Sequence, residues 1–465
     1  MWAATILVVR LLSPHDYGLF AMSQVLLVAL NFLTGQSFAS SLIQEKEVTP
    51  QRVAQVFGLL ILFNAGLAIA QILAAPFTAA YFRQPIVEPM LYWQALIYIV
   101  TPFIALPSVL LARRLDFRSQ AKADLAGALA GAGTALYGAY HGYGVWTLVF
   151  APIIQQTVRA VGLSRAARLT MMPSFNFTGA GGVLRFGSAL VLCQFLWVIQ
   201  SQSDVVIAGR WLSTPNMTHQ IGLYSEALFM ALIFTAKFIP PLNEVAFPAY
   251  TQLAKAGGHV GSAFVRTARL LMFCAVPLYF GLSATAEPTI ALLLGEKWLE
   301  LAPILSGLAI TMPFFALQII CSPTTNALGR PNIYVRTNLA GAIIMPIAFF
   351  FGIKWGIAGL VHAWQIAAPL LLLVTLAITL PVIGVGWRQL GREVLPSLFS
   401  GFAMYSIVRV IGMQITSLPA LMQLAILAAA GAVIYVSLIY VFARSLIEEL
   451  RTFVMRREIS GVQAV

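Results

Sequence analysis

The sequence predicts an all-α polytopic membrane protein of fourteen spans, built as two parallel six-helix lobes followed by two further helices. Three observations carry that prediction. Apolar residues make up 60% of the 465 and charged residues only 9%, against about 25% charged residues in soluble domains. Apolar segments near the roughly 20 residues of a bilayer crossing recur from end to end. The basic residues fall on alternate loops. Together these exclude an ordinary soluble enzyme.

In chain order, Trp2–Val9 form an apolar stub that runs into Arg10 and a Ser13-Pro14 turn. Spans follow near 18–43, 53–75, 89–111, 123–140, 145–163, 185–210, 222–248, 268–293, 301–327, 333–352, 356–383, 395–412 and 419–443. The loops 44–52, 112–122, 164–185, 249–269, 329–336, 384–394 and the tail 444–465 hold 20 of the 28 Lys and Arg. The opposite side holds six: Arg10, Arg83, Arg210, Lys297, Lys354 and Arg409. The positive-inside rule assigns the first set, and with it the C-terminus, to the cytoplasm. The turn 10–17 is then outside, so the stub reads as the outer end of a full crossing.

An internal repeat supports the count. TPFIAL at 101–106 returns as MPFFAL at 312–317, ADLAGA at 123–128 as TNLAGA at 337–342, and GVWTLV at 144–149 as GIAGLV at 356–361, with offsets of 211, 214 and 212. VVRLLSP at 8–14 is echoed by AGRWLSTP at 208–215, and GLF at 18–20 by GLY at 222–224. Six spans per unit is an even number, so the halves are parallel repeats about an axis along the membrane normal. The expected divisions are an N-lobe at 1–163, a C-lobe at 164–383, spans 13 and 14 at 384–443, and a tail at 444–465. Aligning Arg10 with Arg210 leaves about sixteen residues missing before Met1.

Other function classes find no support. The chain holds no G-x-x-x-x-G-K-[ST] phosphate loop, and its five histidines are isolated, with no H-E-x-x-H pair. Cys193, Cys274 and Cys321 lie far apart in apolar segments and read as buried small hydrophobes. The net charge of +12 is dispersed over loops, which points to membrane topology and lipids rather than to nucleic acid. No metal and no cofactor is expected. GALAGAG at 127–133 contains a G-x-x-x-G, the pattern of a close helix-packing face. Two facing bundles suggest a transporter with a midplane cavity.

Several stretches carry a family resemblance in their order along the chain. They are RLLSPHDYGLF at 10–20, RRLDFRSQAKADLAG at 113–127, HGYGVWTLV at 141–149, SDVVIAGRW at 203–211, IGLYSEA at 221–227, GEKWLELAPIL at 295–305 and ALGRPNIYVR at 327–336. The chain resembles the polysaccharide exporter branch of the multidrug/oligosaccharidyl-lipid/polysaccharide flippase superfamily, in the style of Wzx-type, colanic-acid exporter-like repeat-unit flippases. The resemblance implies a MATE-like, fourteen-span fold in a bacterial inner membrane. It implies export of undecaprenyl-pyrophosphate-linked oligosaccharide for lipopolysaccharide or exopolysaccharide synthesis, with polymerase and glycosyltransferases as further partners. A drug/cation antiporter of the same superfamily and a peptidoglycan lipid II flippase are the alternatives. A membrane glycosyltransferase ranks last, because the longest outer loop is only about a dozen residues.

A charge at the centre of a span costs roughly 2.5–3.5 kcal/mol, so each needs a reason. Gln194, Ser201 and Asp204 share one face of the seventh span, at steps of 7 and 3. Asp204 aligns with Ala4, so the acid belongs to one lobe only. Glu226, Lys237 and Glu244, at steps of 11 and 7, form a stripe on the eighth span, which Pro240-Pro241 interrupts. These residues fit a translocation cavity, with Lys237 as the phosphate contact; Asp204 and Lys237 fit an ion pair between helices equally well. Arg159, with Gln155 and Gln156, forms a smaller polar patch that fits the same translocation cavity, and reads first as a cation snorkelling to headgroups. Arg10 and Arg210 at outer span ends fit lipid, capping or substrate roles. His362 reads as hydrogen-bonded structure.

Overall fold

Every described segment of regular structure is helical, as repeated apolar runs without period-2 alternation dictate. The computed structural model describes residues 2–31, 34, 42, 49–175, 181–212 and 216–442, and of residues 2, 3 and 181–193 the backbone alone. The end of the expected span 18–43, most of the loop 44–52 and the tail 444–465 lie outside the described residues. The chain divides into two compact units, Met1–Glu226 with Gly341–Leu360, and Ala227–Ala340 with Val361–Val465.

The first unit opens with α1 (Trp2–Leu11), α2 (Pro14–Asn31) and α3 (Pro50–Phe82). Ser13 and Asp16 form a capping box at the start of α2: the Ser13 hydroxyl donates to Asp16 Oδ2 at 2.6 Å, and the Asp16 N–H donates to Ser13 Oγ at 3.3 Å. Thr49 caps α3 ahead of Pro50 by accepting the Arg52 N–H at 3.2 Å. The fourth expected crossing is broken into α4 (Val87–Gln94), α5 (Leu96–Val100) and α6 (Pro102–Arg113). Next come α7 (Phe117–Tyr140), α8 (Val145–Ala166), α9 (Gly181–Trp211) and the first turns of α10 (Met217–Lys255).

The second unit takes the rest of α10, then α11 (Val260–Ala284), α12 (Ala286–Leu293), α13 (Ala302–Ala309), α14 (Met312–Ile319) and α15 (Cys321–Ala327). α16 (Pro331–Gly352) and α17 (Gly356–Ile383) each contribute to both units. The C-terminal pair, α18 (Trp387–Gln414) and α19 (Ala420–Phe442), packs on α11 around Met272, Val276, Phe280, Met404, Val408 and Tyr435. Arg269 on α11 donates to Glu393 on α18 at 3.0 Å.

Seven helical stretches among the described residues are long and apolar enough to cross a membrane, or eight with the bent pair Glu296–Ala309 and Met312–Ala327. The backbone carries two features of the repeat. The helix breaks at Thr101, just before PFIAL, and again just ahead of MPFFAL, where Thr311 follows the end of α13. Gly144 before α8 has φ 55° and ψ −133°, and Gly356 before α17 has φ 68° and ψ −153°. That region suits glycine alone at little cost. Two turns sharing one rare conformation at matching positions are a stronger sign of duplication than the short sequence echoes.

Candidate functional site

The GLF and GLY echoes of the repeat meet in space. A Cβ on Gly18 of α2 would lie 1.8 Å from the Thr218 carbonyl oxygen, and one on Gly222 of α10 would lie 1.7 Å from that of Pro14. Each glycine therefore faces the carbonyl four residues before the other. This reciprocity is the mark of a two-fold contact between equivalent surfaces. The His15 ring Nδ1 and the Thr218 hydroxyl share a hydrogen bond beside it.

α9 packs against α2 beside this crossing and carries three buried polar groups. Gln200, Ser203 and Asp204 are all buried, Asp204 at 1% exposure. Asp204 accepts the Tyr224 hydroxyl at 2.7 Å and the Val205 N–H at 2.7 Å. A carboxyl so enclosed is out of reach of a bulky ligand in this state. Gln200 presses on Gly341 of α16, where a Cβ would lie 2.0 Å from its Oε1. Gln194 and Ser201 are half-buried, and the Ser201 hydroxyl turns back to the Val198 carbonyl at 3.4 Å. The buried polar face is thus 200–203–204, with 194 and 201 at its margin.

The cations separate by partner. Arg159 Nε meets Asp124 Oδ1 at 2.6 Å across α7 and α8, with 30% of the arginine side chain and 43% of the aspartate side chain exposed. The arginine closes an interhelical ion pair that the sequence reading did not foresee. Arg210 is half-buried with its guanidinium 5.9 Å from the Tyr81 ring centre, and the Tyr81 hydroxyl donates to the Val206 carbonyl at 3.3 Å. Arg10 is exposed on α1. Lys237 and Glu244 are exposed on the α10 segment of the second unit, where the neighbouring Phe234 and Phe238 stack with ring centres 4.6 Å apart. Glu226, the remaining member of that stripe, is buried.

The α7–α8 seam bears out the close-packing reading of GALAGAG. A Cβ on Gly127 would fall 2.8 Å from the Gln155 carbonyl oxygen, and one on Gly131 would fall 2.7 Å from Gln155 Cβ. Tyr224, Asp124 and Tyr81 were missed from the sequence. Each acts through a partner on another helix, and no spacing along the chain announces such a contact. Among the described residues no three His, Cys, Asp or Glu gather as metal ligands.

Comparison with known proteins gives the family. The family described as "Polysaccharide biosynthesis protein" matches residues 7–303. The succinoglycan biosynthesis transport protein ExoT of Rhizobium meliloti is 24% identical over 95% of this chain and 89% of its own length. Among solved structures, the lipid II flippase MurJ in an inward closed conformation superposes with a TM-score of 0.73 at 15% identity, over 96% of this chain and 98% of that one. A multidrug resistance MATE family transporter of the MOP superfamily, inward-facing, superposes with a TM-score of 0.62 at 14% identity, over 82% and 93%. The fold is that of MurJ and the MATE transporters.

Proposed function

The chain belongs to the polysaccharide biosynthesis protein family, and from that premise we propose that it is a flippase. It moves undecaprenyl-pyrophosphate-linked oligosaccharide repeat units across a bacterial inner membrane for surface polysaccharide synthesis. The observation that carries the mechanism is the reciprocal Gly18–Gly222 crossing. Equivalent helices of two repeats that touch around one axis are the arrangement from which alternating access follows. On the positive-inside count both glycines lie at the outer end, so the crossing is the closed outer gate.

In this reading the chain has fourteen spans, lobes at 1–163 and 164–383, and a cytoplasmic C-terminus. Pyrophosphate and sugars cannot cross hydrocarbon unaided, and a cation in the path lowers that barrier. Lys237, exposed on α10, is the phosphate contact; Arg10 and Arg210 stand near the outer exit, Gln194 and Ser201 edge the path, and Glu244 lies toward the inner end. Asp204, sealed by Tyr224, is a coupling or packing group rather than a sugar ligand. Arg159 holds α7 to α8. Polymerase and glycosyltransferases are the natural neighbours at the membrane.

The test uses proteoliposomes holding the lipid-linked oligosaccharide, with a membrane-impermeant lectin reporting sugar that has crossed. In a background lacking the native cysteines, His15→Cys with Thr218→Cys forms a disulfide on oxidation and stops flipping, and reductant restores it. Lys237→Ala abolishes flipping at normal expression. Undiminished flipping by the oxidised pair overturns the outer gate. Efflux of a cationic dye without sugar transfer moves the chain to the antiporter class.

A further inference from the structure

The stretch ALGRPNIYVR at 327–336 lies outside the translocation path proposed above. In the second unit, Gly329, Arg330, Asn332, Ile333, Arg336, Ile378 and Val382 line a cavity of about 280 Å³. Two arginines border it and no acidic residue does. The chain has no Asp or Glu between Glu300 and Glu393, and neither arginine joins an ion pair among the described residues.

The repeat shows how this charge arose. At the offset of 214 that relates ADLAGA to TNLAGA, Lys122 corresponds to Arg336 and Asp116 to Arg330. In the first repeat Asp116 caps α7 by accepting the Ser119 N–H at 3.1 Å. In the second, the same place before α16 holds an arginine, which donates hydrogen bonds and accepts none. One repeat brings its own anion to the helix start; the other brings a second cation and an opening beside it. Guanidinium forks match phosphate oxygens in geometry, and Ile333, Ile378 and Val382 supply an apolar wall on the other side.

We propose that the Arg330–Arg336 cavity binds a phosphate-bearing anion, the headgroup of an acidic phospholipid or free phosphate, at the basic face of the membrane. The site is separate from the Lys237 path and does not depend on it.

The test is native mass spectrometry of the full chain released from nanodiscs of mixed phosphatidylglycerol and phosphatidylcholine. The wild type retains phosphatidylglycerol in preference. Arg330→Gln with Arg336→Gln lowers that retention about tenfold, each single change about threefold, and Arg330→Lys with Arg336→Lys restores only part of it, because a lysine keeps the charge and loses the fork. Arg388→Gln, another basic-loop change, leaves it unaltered. Inorganic phosphate at millimolar concentration displaces the lipid if the site takes the free anion, and leaves it in place if the glycerol backbone also contributes; either result supports the phosphate chemistry. Unchanged lipid preference in the double glutamine variant, at unchanged Tm, overturns the proposal, as does an equal loss with Arg388→Gln.

Discussion

The α7–α8 seam and the α2–α10 crossing both depend on glycine, yet they are built for different ends. Along α7 and α8, Gly127, Gly131 and Gly138 on one helix and Gly162 on the other lie where a Cβ would come within 3 Å of the partner. The contact runs the length of two helices adjacent in sequence, and Asp124–Arg159 pins one end. At α2 and α10 a single reciprocal pair, Gly18 and Gly222, joins helices about two hundred residues apart in the chain, with one side-chain hydrogen bond beside it. Repeated along a helix pair, small residues make a long joint; confined to one point, they make a short one, and in the proposed transport cycle the short one is the joint that parts.

The largest expected effect breaks the second joint. In Gly222→Val or Gly18→Val the new side chain meets backbone on the other helix, and overpacking of this kind costs on the order of 3 kcal/mol. Because the crossing is one point in a large structure, that cost falls on the closed gate rather than on folding. Export drops below about a tenth while expression holds, and cysteines placed beside the crossing become open to membrane-impermeant thiol reagents. Loss of folded protein with no gain in reactivity would mean that this joint does not part.

Gly131→Val sharpens the contrast from the other side. The clash is with Gln155 Cβ and the Ala151 carbonyl, inside one hairpin, so stability takes the cost. A Tm lower by several degrees in detergent is expected, with export falling only as folded protein is lost.

How much of this was legible in the sequence follows the same division. Helical class and the recurrence of long apolar segments are periodic along the chain, and hydropathy reads them directly. GALAGAG was legible as a packing face because its spacing is that of one helix. The reciprocity of Gly18 and Gly222 was half legible: the GLF and GLY echoes were visible, but nothing in one dimension says that equivalent residues touch each other. Tyr224 on Asp204 and Asp124 on Arg159 were illegible for the same reason. An intramembrane charge announces that it needs a partner, and only the packing of a second helix names it. The backbone breaks at Thr101 and Thr311 were foreshadowed by TPF and MPF, where a proline cannot continue the hydrogen-bond ladder.

A smaller effect concerns the pin of the first joint. The Arg159 and Asp124 side chains are 30% and 43% exposed, so solvent screens them and the pair contributes about 0–1 kcal/mol. Asp124→Ala with Arg159→Ala is expected to cost no more in Tm than either change alone, the non-additivity of a contacting pair. Export changes by less than about threefold. Abolished export in Arg159→Ala, with Tm intact, would return that arginine to the translocation path.

The smallest effect lies where α7 begins. Asp116 caps the helix, and its hydrogen bonds from Ser119 hold the carboxyl below the usual range of an aspartate, with Arg118 and Lys122 adding to the effect. A folded-state pKa below the unfolded one stabilises above the unfolded value, and that contribution is lost as pH falls through the folded one. Tm followed from about pH 6 to 3 should therefore fall on the acid side. Asp116→Asn keeps a capping oxygen but removes the charge, so its acid limb is shallower and its stability at neutral pH slightly lower.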